Sequence, residues 1–85
     1  MSKHYIAVIE ETNGSFEYKS EFLFTTDEDP WVYGKEVAAD WRSGNTEYDS
    51  NVGGFWNEDT IICLDAVKEI PADDFEVLSK YLSVL

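Results

Sequence analysis

An α+β fold of order ββα(β)βα is predicted, with a three- or four-stranded, mainly antiparallel sheet and two helices packed on one face. Three features of the sequence carry this expectation. An Asn-Gly pair separates two alternating strands, an Asp-Pro pair opens a helical segment, and a β-branched run is followed by Pro and acids. The chain has 85 residues, and a core of that size buries only about 60 to 65% of the surface exposed by the unfolded chain. A single domain over 1–85 follows.

The first two strands, HYIAVIEE and SFEYKSEFLFTT, flank Asn13-Gly14. That dipeptide suits the two positive-φ positions of a type I′ turn. If Thr12 faces Ser15, then Tyr5 meets Phe22, Ala7 meets Ser20 and Ile9 meets Tyr18. Phe16, Tyr18, Phe22 and Phe24 then share the face of Tyr5 and Ile9. Period-2 aromatics of this kind are the mark of a core face, and the acidic charge argues against base stacking.

In DPWVYGKEVAADWRSG, Asp29 reads as the N-cap, Pro30 as the first helical residue and Gly44 as the stop, giving a helix from about Pro30 to Arg42. Its inner face would be Gly34, Val37, Ala38 and Trp41, with Lys35, Glu36, Asp40 and Arg42 in solvent. Gly34 costs about 1 kcal/mol relative to Ala inside a helix, which suggests a close approach to the sheet.

TIICLDAVKEI is apolar on both alternations and predicts a well-buried strand, with GGFW as a short partner across Asn57-Glu58-Asp59. A right-handed crossover would set this strand antiparallel to the first, making the first strand central. PADDFEVLSKYLSVL predicts a closing helix with Pro71, Asp73 and Asp74 in its first turn and Phe75, Leu78, Leu82 and Leu85 on one face. The far side of the sheet would then be mixed, with Ile6, Val8, Leu23, Ile61, Cys63 and Val67 among Glu17, Lys19 and Glu21.

Charge bounds the function. Six basic residues against 18 acidic ones leave −12, with the carboxylates spread along the chain rather than gathered in a tail. Such a field repels phosphate backbones and anionic lipids, so no direct nucleic acid and no membrane partner is expected, while basic protein surfaces are attracted. The hydrophobic share of 44% and aromatic share of 15% are those of a folded chain, not a disordered acidic one. One cysteine excludes an internal disulfide, and the apolar context of Cys63 reads as a buried small hydrophobe. With no apolar run long enough for a leader or a membrane span, the expected location is cytoplasmic.

DSNVGGFWNEDT, from Asp49 to Thr60, resembles a calcium loop at Asp49, Asn51, Gly54 and Asn57. Its fifth position is Gly53 and its twelfth is Thr60, so the bidentate carboxylate that an EF-hand requires is missing. No helix-loop-helix flanks it either. No metal and no cofactor are expected, though weak calcium binding by the surrounding carboxylates stays open. His4 and Cys63 lie at no zinc-ligand spacing. No nucleophile, base or phosphate-binding glycine motif is present, so no catalytic residues and no enzyme are expected.

Binding remains. Aromatics ringed by acids suit an interface for a basic protein. The candidate partner-binding residues are Asp27, Glu28, Asp29, Trp31, Glu47, Tyr48, Asp49, Trp56, Glu58 and Asp59. The competing expectation is that Trp31 and Trp56 cap the core. In size, charge and aromatic content the chain resembles small acidic proteins that neutralise nucleic-acid-binding enzymes, such as phage-encoded DNA mimics and nuclease immunity proteins. That likeness implies a non-enzymatic inhibitor or immunity factor and assigns no role to any residue. The alternative is a small homodimer joined through the far sheet face around Ile6, Val8 and Leu23.

Overall fold

The computed structural model describes residues 2–41 and 46–85. Strands β1 (Lys3–Asn13) and β2 (Phe16–Thr26) are followed by helix α1 (Pro30–Ala39) and strands β3 (Glu47–Asp49), β4 (Gly54–Asn57) and β5 (Thr60–Ile70). Helix α2 (Ala72–Leu78) and strand β6 (Ser83–Val84) complete the chain. The fold is α+β with a six-stranded sheet of order β3-β4-β5-β1-β2-β6, not three or four strands. All pairings are antiparallel except β2 with β6. As expected, β1 lies inside the sheet with β5 antiparallel beside it, and GGFW supplies part of β4.

The hairpin forms in a register two residues away from the expected one. Asn13 pairs with Phe16 and Tyr5 with Phe24, so the loop is Gly14-Ser15. Only Gly14 takes positive φ, at 60°, the pattern of a type II′ turn with Gly first. Asn13 stays in its strand, where its side-chain amide donates to Thr60 Oγ1 at 3.2 Å. Because the slip is an even number of residues, every side chain keeps its face. Tyr5, Ala7, Ile9, Phe22 and Phe24 are accordingly all buried. Phe24 stacks between Tyr5 and Tyr33 of α1, at centroid distances of 5.3 and 4.6 Å. Phe16 and Tyr18 share that face but are 64% and 57% exposed, since they lie at the hairpin tip, away from the buried cluster under α1.

α1 begins as expected. Asp29 Oδ1 accepts the Trp31 N–H at 2.9 Å and Pro30 follows the cap. Gly34 and Ala38 are buried, with Val37 and Trp41 packed against the core. A Cβ on Gly34 would stand 2.7 Å from Leu64 Cδ2, so the close approach is real. The helix closes at Ala39 with Asp40 as its C-cap. The helix thus stops short of the expected end, with Asp40 and Trp41 beyond it, while Arg42 and the expected stop at Gly44 lie outside the described residues.

β5 changes face partway along. Val8 pairs with Ala66 but Ile9 pairs with Leu64, so Asp65 is an extra residue in the ladder. Such a bulge reverses the alternation. Ile62, Leu64 and Val67 therefore all belong to the α1 side, and Val67 is not on the far face as strict alternation implied.

The two helices do not share a face. His4 alternates with Ile6 and Val8, opposite Tyr5 and Ala7, and the Phe75 ring of α2 sits 4.5 Å from the His4 ring. No residue of α2 belongs to the cluster that α1 covers. A chain leaving β5 beyond its bulge thus caps the other side. The expected long final helix also stops early, at Leu78, with the Ser79 hydroxyl donating to the Glu76 carbonyl at 2.7 Å. The following residues instead pair with the open edge of β2, whose peptide groups need partners. Ser83 pairs with Phe22 and Val84 with Leu23, and the Leu85 N–H donates to the Leu23 carbonyl at 2.8 Å. Leu23, expected on an open patch, is fully buried, and Leu85 is exposed. No helix among the described residues is long and apolar enough to cross a membrane.

Candidate functional site

No pocket opens among the described residues. The ten candidate residues fall into two groups. Asp27, Glu28, Asp29 and Trp31 follow β2 at the end of the sheet marked by Lys3 and Thr26. Glu58 and Asp59 turn the chain at the opposite end, beside Asn13. Nine residues of extended strand, about 30 Å, separate those ends. The candidates adjacent in sequence therefore do not form one patch.

Within the first group the Asp29 side chain and the Glu28 backbone serve the turn. Thr26 Oγ1 accepts the Glu28 N–H at 3.0 Å, and Asp29 caps α1. Trp31 is 45% exposed and stands outside the core cluster, so it does not cap the core. The second group is more compact. β3 and β4 form a hairpin in which Glu47 pairs with Trp56, Tyr48 with Phe55 and Asp49 with Gly54. Phe55 packs against the core, and Tyr48 meets it edge-on at 5.2 Å. On the other side, Asp49 Oδ2 accepts the Trp56 indole N–H at 3.2 Å. Tyr48 is 55% and Trp56 36% exposed.

This geometry accounts for the calcium-like spacing. Asp49 Oδ1 accepts the Asn51 N–H at 2.9 Å and the Asp49 carbonyl accepts the Gly53 N–H at 2.9 Å, closing the loop. Gly53 has φ 68°, which a side chain rarely adopts. Gly54 lies under Cys63, where a Cβ would come within 2.5 Å of Sγ. Asp49, Asn51 and Gly53 thus belong to a tight loop closed over five residues, and Gly54 begins the strand that follows it. Among the described residues no group of three or more His, Cys, Asp or Glu stands ready to hold a metal. Glu58 occupies φ 55°, a conformation that costs a non-glycine residue about 1 to 2 kcal/mol and holds its carboxylate at the tip of the β4–β5 turn.

The electrostatics of this corner are one-sided. Between Arg42 and Lys68 the sequence has no basic residue but contains Glu47, Asp49, Glu58, Asp59 and Asp65. The three ion pairs among the described residues join Lys3 to Glu69 and Lys19 to Glu10 and Asp65, leaving Glu47, Asp49, Glu58 and Asp59 outside them. Cys63 is half-buried, not buried as expected. Its thiol is pushed up from 9.0, first by burial and then by the carboxylates of Glu10 and Asp65, so the thiolate is disfavoured. His4 serves structure, with Nδ1 2.9 Å from Thr25 Oγ1 and its ring on Phe75.

Glu10, Glu17, Ile61 and Cys63 were not among the candidates, yet the sheet brings them onto the same surface as Trp56. The signal available was the double alternation of TIICL, which leaves one apolar set on each face. No protein-family model matches the chain, and neither the curated proteins nor the solved structures offer a match.

Proposed function

We propose that this chain is a non-enzymatic acidic binding module that docks on a basic protein surface, as an inhibitor or immunity factor does. The observation that carries the reading is the β3–β4 hairpin corner, where Glu47 and Asp49 flank the exposed Trp56 ring, Tyr48 is exposed on the opposite side, Glu58 and Asp59 follow in the next turn, and none of the four carboxylates has an ion pair to a described cation. Aromatic anchors supply contact area at low entropy, and an uncompensated field speeds encounter with a cationic partner. The Asp27–Trp31 group is a separate acidic surface at the other end of the sheet. A homodimer through the far face draws less support. Leu23 is fully buried, and two copies each carrying −12 repel.

The test compares two variants that remove equal charge. Glu47→Gln/Glu58→Gln/Asp59→Asn alters the corner, and Asp73→Asn/Asp74→Asn/Glu76→Gln alters α2. Partners captured from the source cell at low salt should be basic, should fall away as salt rises, and should be lost by the corner variant while the α2 variant retains them. Equal loss by both variants, or no basic partner at low salt, overturns the proposal.

A further inference from the structure

The side of the sheet facing away from α1 carries two rows that cross five strands. In one, Glu47, Trp56, Ile61, Thr12 and Glu17 lie side by side. In the next are Asp49, Gly54, Cys63, Glu10 and Lys19, with Gly54 directly under Cys63. Val8 continues the apolar strip one step further along β1, opposite Glu21 and Ala66. Trp56, Ile61 and Cys63 on β4 and β5 form the apolar part of the rows, Val8 adds to it from the next step of β1, and Thr12 and Glu10 lie between them and β2. The first row ends in Glu47 and Glu17 and the second in Asp49 and Lys19, while Glu21 stands beside Val8.

From this arrangement we infer that the strip receives an amphipathic, cationic segment of the partner, its apolar side chains on Trp56, Ile61, Cys63 and Val8 and its ammonium or guanidinium groups on the flanking carboxylates. The inference rests on the docking function proposed above and names the partner's chemistry. Charge complementarity selects the occupant. The face already holds one ammonium in this way, for Lys19 Nζ lies 3.7 Å from Glu10 and 3.6 Å from Asp65 and spans three strands. Lys19 is the one cation in the two rows, against Glu47, Glu17, Asp49 and Glu10. The Cys63 thiol within the strip is pushed up first by burial and then by the carboxylates of Glu10 and Asp65. A second copy would bring carboxylates to carboxylates.

Space agrees. The Phe75 ring of α2 meets this face at His4, and Val8, the strip residue on β1 nearest to it, lies four residues further along the strand, about 13 Å. Packed helices need about 8 to 10 Å between axes, so a second helix fits beside α2. The five strands span about 19 Å, the length of a helix of about 13 residues.

Cys63 is the only cysteine and sits inside the strip, so it reports occupancy. The probe is a Leu/Lys peptide of about 14 residues patterned as an amphipathic helix. Its controls are a Ser/Lys peptide of equal charge and a Leu/Glu peptide. Anisotropy of labelled peptide measures binding, and the rate of Cys63 alkylation by a neutral maleimide locates it. The Leu/Lys peptide should bind and slow alkylation at least tenfold, while neither control protects. Glu47→Lys, an exposed edge substitution, should weaken that binding about tenfold. Binding with Cys63 still reactive overturns the placement and leaves the docking function standing. Equal protection by the Ser/Lys peptide overturns the apolar part of the inference. Protection that appears without peptide as a dimer forms in sedimentation assigns the strip to a second copy and overturns it. Absence of any cationic peptide binding overturns both readings.

Discussion

Two glycines separate space that can yield from space that cannot. A Cβ on Gly54 would meet Cys63 Sγ at 2.5 Å and the Ile62 carbonyl at 2.9 Å, and the backbone atom has nowhere to go. Gly54→Ala is expected to destabilise the fold by about 2 kcal/mol through overpacking. Gly34→Ala meets only the end of the Leu64 side chain, and its helix-propensity gain of about 1 kcal/mol offsets the displacement, leaving a small net change. Urea midpoints of the two variants check the contrast. Cys63 gives a pH signature at the same scale. Below 9.0 the thiol is protonated in both states, and its contribution is complete. Above that value the unfolded chain ionises first while burial, Glu10 and Asp65 keep the folded thiol neutral, so the unfolded state holds fewer protons and stability falls until the folded thiol titrates. Cys63→Ala should remove that part of the alkaline slope, and denaturation of both proteins across pH 8 to 11 (about three units, bracketing the ordinary thiol range) measures the difference.

At the scale of elements, the C-terminal segment shows how an unpaired edge overrides a helical pattern. Leu78 and Leu82 continue the spacing of Phe75, yet α2 ends and β6 forms, because the β2 edge offers peptide groups that a longer helix would leave unpaired. Leu85→Pro removes the N–H that donates to the Leu23 carbonyl and is expected to cost about 1 kcal/mol. Amide exchange should rise in Ser83 and Val84 while β1 stays protected; unchanged exchange at β6 counts against the pairing. The bulge at Asp65 acts similarly on faces, turning Val67 toward α1 while Cys63 and Ile61 remain on the other side.

For the whole molecule, charge is spread over a body of 38 × 24 × 20 Å with few compensating cations. Repulsion across that length acts freely when the screening length is about 30 Å and fades when it is about 8 Å. Raising salt from about 10 mM to about 150 mM is therefore expected to increase the urea midpoint, even as it weakens docking on a basic partner. A midpoint that does not move would mean that the carboxylates do not repel one another appreciably in the folded state.

Local rules in the sequence were sufficient for α1, its Asp29 cap and Pro30 start, the aromatic core face, the central place of β1 and the antiparallel partner β5. Each depends on contacts between near neighbours or on alternation, which the order of residues contains. The acidic character of the chain was equally legible, since charge is a sum over its residues. Which carboxylates stand together was not. Asp27–Trp31 and Glu58-Asp59 are separated by the length of a strand, while Trp56, Cys63 and Glu10 are joined by pairings between strands distant in sequence. The turn position, the bulge, the side taken by α2 and the strand β6 were likewise decided by tertiary structure. Each depends on which edges and faces remain open once the rest of the sheet has formed, and backbone groups there must find partners whatever the local propensity.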